Sequence, residues 1–266
     1  MAKLNIGTAG WAYDGWVESF YPKRLEIKEH LPYYTTIFDI NEINAPFYNL
    51  PSFEMVNNWY DRVPEDFRFF VKVWKKITHK IHENNLKLKV STFFDRFEPL
   101  KEKIKGFLLQ FPPWFKYSDK NLDKLRYLID VLPDENLCFI EFRDDSWYET
   151  DKLSEIIDGK TTILVTSYLE GSRAVYHPDQ RYYYIRLIGD RSINVFNRVQ
   201  RERKEMLDDL HSHIDQLQNN PTINEIFIIV NNHFSGFAPE TANELKKLWD
   251  LPVKSFSSQT SITDFF

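Results

Sequence analysis

Glu225-Ile226-Phe227-Ile228-Ile229-Val230, followed by Asn231-Asn232-His233, is the stretch that decides the fold. Five of its first six residues are apolar and either branched or aromatic, and the run ends at two asparagines, so it reads as a strand. It is the eighth such run. The others cover residues 4–8, 37–43, 67–73, 106–111, 137–142, 162–166 and 182–187. Between them lie stretches of helical periodicity at 52–62, 120–131, 151–157, 200–218 and 239–249. Ser52 and Asp151 stand where N-caps belong, and Pro239 suits a first helical turn. Residues 75–102 are longer than a plain connection and must hold further helical or irregular structure. Strands alternating with helices imply a parallel sheet. Seven repeats would leave an open doubly wound sheet in contention; the eighth points to a closed TIM-type (β/α)8 barrel. No low-complexity linker divides the chain, so residues 1–254 read as one domain. Residues 255–266, rich in Ser and Thr, read as a flexible C-terminal arm.

A chain of 266 residues is ordinary for one such barrel. Its net charge of −5 argues against an overall basic nucleic-acid binder, although a local basic cleft stays open. The single cysteine, Cys138, lies in the apolar run Leu137-Cys138-Phe139-Ile140 and reads as a buried core residue. The first residues enter a strand almost at once, and no apolar run approaches a membrane span. A soluble, cytoplasmic protein with no membrane partner is expected.

Polar residues inside apolar strands are costly unless they have a task or a partner. In a parallel barrel, the carboxyl ends of the strands build the active site. Nearly every strand here ends in such a residue: Glu42 and Asn44, Lys72, Gln110, Glu141 and Arg143, Arg186, then Asn231, Asn232 and His233. Period-two alternation puts Glu42 with Asn44, and Glu141 with Arg143, on shared faces. Glu42 and Glu141 suit a general acid and base, or ligands for Mg²⁺. The competing reading neutralises them structurally, Glu42 through Lys72 and Glu141 through Arg143 or Arg186. Lys72 suits a Schiff-base nucleophile if burial lowers its pKa, able to attack an aldehyde such as C1′ of an abasic sugar. Arg143, Arg186 and Asn231 suit phosphate or carboxylate binding. Trp11, Tyr13, Trp16, Phe47, Tyr48, Trp74, Trp114 and Trp147, interleaved with Lys72, Lys75, Lys76, His79 and Lys80, suit bases stacked beside a phosphate track, against the plainer reading of core packing. The histidines make no convincing metal set, because His211 and His213 are two apart in a helical stretch and only His79 and His233 fall near the rim.

The segments Gly7-Thr8-Ala9-Gly10-Trp11, Asn41-Glu42-Ile43-Asn44-Ala45-Pro46-Phe47-Tyr48, Ile77-Thr78-His79, Leu109-Gln110-Phe111-Pro112-Pro113, Glu141-Phe142-Arg143, Ser146-Trp147 and Asn231-Asn232-His233 occur in that order. Together they resemble the YecE-like family, domain of unknown function 72, over about residues 4–250. The resemblance implies a TIM-type barrel and carries no activity. Apart from the resemblance, the candidate substrate- or phosphate-binding set at the mouth also takes in Trp11, Asn44, His79, Gln110, Trp147 and Asn232. Where such sequences often have Arg-Leu-His-Gly, this chain has Arg186-Leu187-Ile188-Gly189, so no histidine role carries over there.

The last eight residues, Gln259-Thr260-Ser261-Ile262-Thr263-Asp264-Phe265-Phe266, resemble the peptide (PIP box) by which replication and repair enzymes dock on the sliding clamp PCNA. One turn of 3₁₀-like helix would put Ile262 and Phe265 on one side, with Phe266 a second anchor and Gln259 an amide for a polar pocket. The competing reading packs the terminal phenylalanines back on the body. Joined to the polar mouth, the tail points to a PCNA-associated DNA-processing enzyme, a repair nuclease or lyase. A non-catalytic DNA-binding clamp adaptor, and a hydrolase or isomerase of a small phosphorylated or sugar-like substrate, are the alternatives.

Overall fold

The computed structural model describes residues 1–133 and 136–256. In chain order these residues form β1 (Lys3–Ala9), α1 (His30–Thr35), β2 (Ile40–Ile43), α2 (Ala45–Tyr48), α3 (Phe53–Asp61), β3 (Arg68–Lys72), α4 (Lys75–Thr78) and α5 (Leu86–Phe97). There follow β4 (Ile104–Gln110), α6 (Asp119–Asp130), β5 (Leu137–Glu141), β6 (Thr162–Leu164), β7 (Thr166–Leu169), β8 (Tyr182–Gly189), α7 (Lys204–Gln218), β9 (Glu225–Val230), α8 (Asn232–Ser235) and α9 (Ala238–Leu248). The strands pair in parallel in the order β6-β5-β4-β3-β2-β1-β9-β8-β7. The two edge strands are consecutive in the chain and separated by Val165 alone, so the backbone itself carries the sheet round to its starting edge. The result is a nearly closed TIM-like barrel.

The expected sixth strand, residues 162–166, is therefore two segments. β6 follows β5 through the pairs Cys138↔Thr162 and Ile140↔Leu164, and Val165 N–H continues this to Ile140 O at 2.8 Å. β7 then pairs with β8 and runs three residues beyond the expected end. Below that crossover, the Gln180 side chain substitutes for a ladder. Its Oε1 accepts from Leu164 N–H at 2.6 Å, and its Nε2 donates to Leu164 O at 3.2 Å. A buried amide thus satisfies backbone groups that no strand reaches.

Period-two alternation divides the side chains between two cores. Ala9, Ile40, Phe70, Leu108, Phe139, Tyr184, Phe227 and Ile229 fill the barrel interior. Their neighbours, such as Phe69, Val71, Leu109, Ile140 and Ile185, face the helices. The first strand passes close to the second: a Cβ on Gly7 would lie 2.2 Å from Ile40 O, so only glycine fits there. The helices close the outer core with apolar stripes, for example Leu122, Leu125 and Leu128 of α6. Ser52 and Ser118 cap α3 and α6 by accepting from Met55 and Asn121 N–H.

Three local expectations change, and that for residues 75–102 holds. Residues 151–157 form only a 3₁₀ turn over Asp151–Glu155, and Thr150, not Asp151, accepts the capping bond, from Lys152 N–H. The helix expected from 200 begins at Lys204, because Gln200 and Arg201 N–H groups are held by Ser235 O at 2.7 and 3.1 Å. Residues 75–102 hold α4, α5 and most of a following 3₁₀ turn (Glu98–Lys103). The arm expected from 255 does not begin there, because Phe256 is buried, its ring 5.1 Å from Phe20 and 6.2 Å from Phe237. The clamp-like residues Gln259, Ile262, Phe265 and Phe266 lie outside the described residues.

Candidate active site

The same alternation that fills the barrel with Ile40, Phe70, Leu108, Phe139, Tyr184 and Ile229 carries the next inward position of each strand to the mouth. Those positions are Glu42, Lys72, Gln110, Glu141, Arg186 and Asn231. Six strands thus stack a polar layer on an apolar one, at the end where barrel enzymes work.

Arg186 stands at the centre. Its Nε and Nη2 donate to Glu42 Oε2 and Oε1 at 2.8 and 2.7 Å, and its Nη1 donates to Glu141 Oε2. Tyr184, two residues earlier on the same strand, donates its hydroxyl to Glu42 Oε2 at 2.8 Å. Arg143 Nη2 pairs with Glu141 Oε1 at 2.6 Å, and Ser167 Oγ donates to the same oxygen at 3.0 Å. Glu42, Glu141 and Arg186 are buried. Burial alone pushes the Glu141 carboxyl up, but Arg143, Arg186 and Lys72 outweigh it and hold it below the usual carboxylate range. Burial pulls the Arg186 guanidinium down, yet its two glutamates carry it above its ordinary value. The Tyr184 phenol is driven well up by burial and then by Glu42.

The competing expectation for Glu42 is neutralisation by Lys72. The structure instead gives Glu42 to Arg186 and leaves the Lys72 ammonium with no hydrogen-bond or ion-pair partner among the described residues. It sits 4.1 Å over the Phe47 ring. Burial, then the positive charge of Arg186, pull its pKa down to about 7, against the opposing pull of Glu141 and Glu42. Near neutral pH a substantial share of Lys72 is therefore a free amine, the form that is nucleophilic.

The other candidates divide. His79 faces Phe47 and Trp114 edge-on, with ring centroids 5.1 and 5.5 Å away, and its Nδ1 lies 3.0 Å from Thr78 Oγ1. Burial, then Lys72 and Lys75, lower it to about 4, so it is uncharged at neutral pH and offers no cation to a phosphate. Gln110 is buried and donates to Phe111 O at 2.8 Å. Asn44, half-buried, precedes α2 and makes no capping bond. Arg143 keeps one edge of its fork uncommitted, whereas every nitrogen of Arg186 is engaged by a carboxylate. Four candidates serve the framework. Trp147 is fully buried, stacks on Phe142 and Phe115 at 4.4 and 5.3 Å, and donates to Phe115 O. Asn232 Oδ1 accepts from Trp16 Nε1 and Ala238 N–H. Asn231 caps α8 through His233 N–H. Trp11 packs on Trp59 and Phe69, toward the outer core.

Tyr184, Ser167 and Gln180 escaped the sequence reading. Tyr184 stood two residues before Arg186, the spacing already used to find the other mouth residues. Ser167 lay one residue past the expected end of its strand.

The carboxylates do not fit a Mg²⁺ site. All four oxygens of Glu42 and Glu141 already accept hydrogen bonds, and the Arg186 guanidinium occupies the space between them. A hard dication would have to displace a cation held by three bonds. Among the described residues no group of three His, Cys, Asp or Glu side chains is arranged to hold a metal. No helix there is long and apolar enough to cross a membrane.

A family model described as "Protein of unknown function DUF72" matches residues 5–263. The UPF0759 protein YunF of Bacillus subtilis is 24% identical over 275 residues, spanning 93% of this chain and 95% of the relative. The UPF0759 protein YecE of Escherichia coli K12 is 31% identical over 145 residues, 54% of this chain and 50% of the relative. The crystal structure of a DUF72 family protein from Thermotoga maritima superposes with a TM-score of 0.78 at 26% identity, covering 93% of this chain and 99% of that one. One from Enterococcus faecalis, at 20% identity and a TM-score of 0.75 over 94% and 97% of the two chains, shares the fold.

Proposed function

We propose a function for this chain, which belongs to the DUF72 family, from the chemistry of its mouth: an amine-dependent lyase acting on an abasic site in DNA, tethered to the clamp PCNA by residues 259–266. The observation that carries the reading is the unpaired Lys72 beside two glutamates that Arg186 holds fast. Free amine and locked carboxylates favour carbonyl chemistry over hydrolysis of a phosphodiester, because Glu42 and Glu141 each already accept three hydrogen bonds, two and one of them respectively from the fixed Arg186 cation. In such a reaction the Lys72 amine adds to the C1′ aldehyde, forming a C–N bond. Loss of water leaves an imine. Removal of a C2′ proton then breaks the C3′–O bond, the phosphate departs, and water returns the lysine. His79, lowered to about 4, is too weak a base to keep that proton, which passes to water.

The tether rests on the sequence Gln259-Thr260-Ser261-Ile262-Thr263-Asp264-Phe265-Phe266. It would raise the local concentration of an acidic protein at DNA without any further DNA contact. The test is borohydride trapping on an oligonucleotide with one abasic site. Wild type should form a covalent adduct, Lys72→Met should not, and Glu42→Gln should form it. Adducts of equal yield in Lys72→Met sink the lyase reading. Purified PCNA titrated with wild type and with Phe265→Ala/Phe266→Ala checks the tether: binding that survives the double replacement removes it. Should DNA be bound but never altered, the adaptor reading takes its place.

A further inference from the structure

Beside Lys72, three loops build an aromatic ledge. Tyr48 ends α2, His79 follows α4, and Trp114 lies in the turn after β4. The rings meet in series. Tyr48 is edge-on to Phe47 at 5.0 Å, Phe47 to His79 at 5.1 Å, and His79 to Trp114 at 5.5 Å. The inner ring, Phe47, is buried under the Lys72 ammonium. The two end rings are not covered: Tyr48 is 60% and Trp114 65% exposed. Large aromatic faces left in water at both ends of one ledge mark a binding surface.

The charge around the ledge says what kind. Lys75 lies 5.5 Å over Tyr48, and Lys76 lies 4.3 Å over Trp74; neither has a carboxylate partner among the described residues. The nearby acid Glu83 is already taken by Lys80 and Lys89. Two free cations thus stand on α4, one of them over an exposed ring of the ledge, in a chain whose net charge is −5. A neutral sugar ring would use the rings and ignore the lysines. A duplex would meet the lysines but hides its base faces. Unstacked bases joined by phosphates use both.

We infer that the Tyr48–Trp114 ledge, with Lys75 and Lys76, is a single-strand DNA subsite that seats the nucleotides flanking the residue presented to Lys72. This deepens the lyase reading and rests on it for the identity of the polymer. The ledge restricts the enzyme to lesions in single-stranded or frayed DNA and draws its affinity from stacking, with little regard for base sequence.

The test is fluorescence anisotropy of the full chain with labelled, undamaged dT12 and with the same strand in duplex, which needs no chemistry at Lys72. Single strand should bind at least 10-fold tighter than duplex. Trp114→Ala and Tyr48→Ala should each weaken single-strand binding about 5- to 150-fold. Lys75→Ala/Lys76→Ala should lower the slope of log affinity against log salt by about 0.7 per lysine. Duplex binding as tight as single strand overturns the subsite, as does binding indifferent to both rings. Trapping on Lys72 with a ledge that binds nothing leaves the lyase standing and removes the subsite; ledge binding without trapping does the reverse.

Discussion

A lysine in water keeps its proton until the pH passes about 10, but the Lys72 amine gives it up near 7, for reasons of position. Its strand delivers it to an enclosed mouth where the nearest carboxylates already belong to an arginine. The consequence for stability has a definite sign. Between the lowered folded value and the ordinary 10.5, the unfolded chain binds a proton that the folded chain does not. Stability from this group is thus fully present above 10.5 and is lost as pH falls through about 7. Lys72→Met removes the term. The variant should melt above wild type at pH 6, by about a few degrees for each kcal/mol relieved, and the gap should shrink steadily as pH climbs toward 10. A constant gap in paired thermal melts across that range would show that Lys72 carries its proton throughout. The pH profile of borohydride trapping should rise through the same midpoint near 7.

Arg186 joins strands that are not neighbours. It lies on β8 and reaches across the interior to Glu42 on β2 and Glu141 on β5. Taking two carboxylates and a guanidinium out of water is expensive, and the assembly holds because every oxygen and every guanidinium nitrogen is used. Arg186→Met would strand the buried Glu42 charge and leave Glu141 to Arg143 alone, and should cost about 3–5 kcal/mol in chemical denaturation. Adding Glu42→Gln and Glu141→Gln should recover much of that loss. A lone Arg186→Met as stable as wild type would mean that the glutamates find protons or water instead. The strands themselves were legible, because a period of two on an apolar background survives any packing. The polar mouth was legible for the same reason: Glu42, Lys72, Gln110, Glu141 and Arg186 each occupy the next inward step of their strand. Partner choice was not. Sequence spacing places Lys72 on the strand beside Glu42, whereas the pairing is set by the reach of Arg186 across the barrel, a distance no local pattern encodes. The break at Val165 was hidden too, since Thr162 to Thr166 reads as one continuous strand until closure demands that the stretch serve two neighbours.

At the scale of the whole molecule, Phe256 belongs to the packed body of the barrel. Its ring fills a site between Phe20 and Phe237, so Phe256→Ala should cost about 3–5 kcal/mol in chemical denaturation. An unchanged unfolding midpoint would return residue 256 to the arm. Composition alone misplaced that boundary, because Ser255, Ser257 and Ser258 surround one buried aromatic and dilute its signal. Closure of the whole ring depends on a detail of similar size. Where β6 and β8 would meet below Val165, the backbone of Leu164 is held by the side-chain amide of Gln180. The barrel therefore has a seam, stitched at that level by one residue where other joints carry a ladder of main-chain bonds. A cylinder opens at its seam. Thermal opening that spares the rest of the sheet would begin there, parting β6 from β8 and peeling residues 170–181 outward, while the pairing of β2, β1 and β9 on the far wall stayed shut.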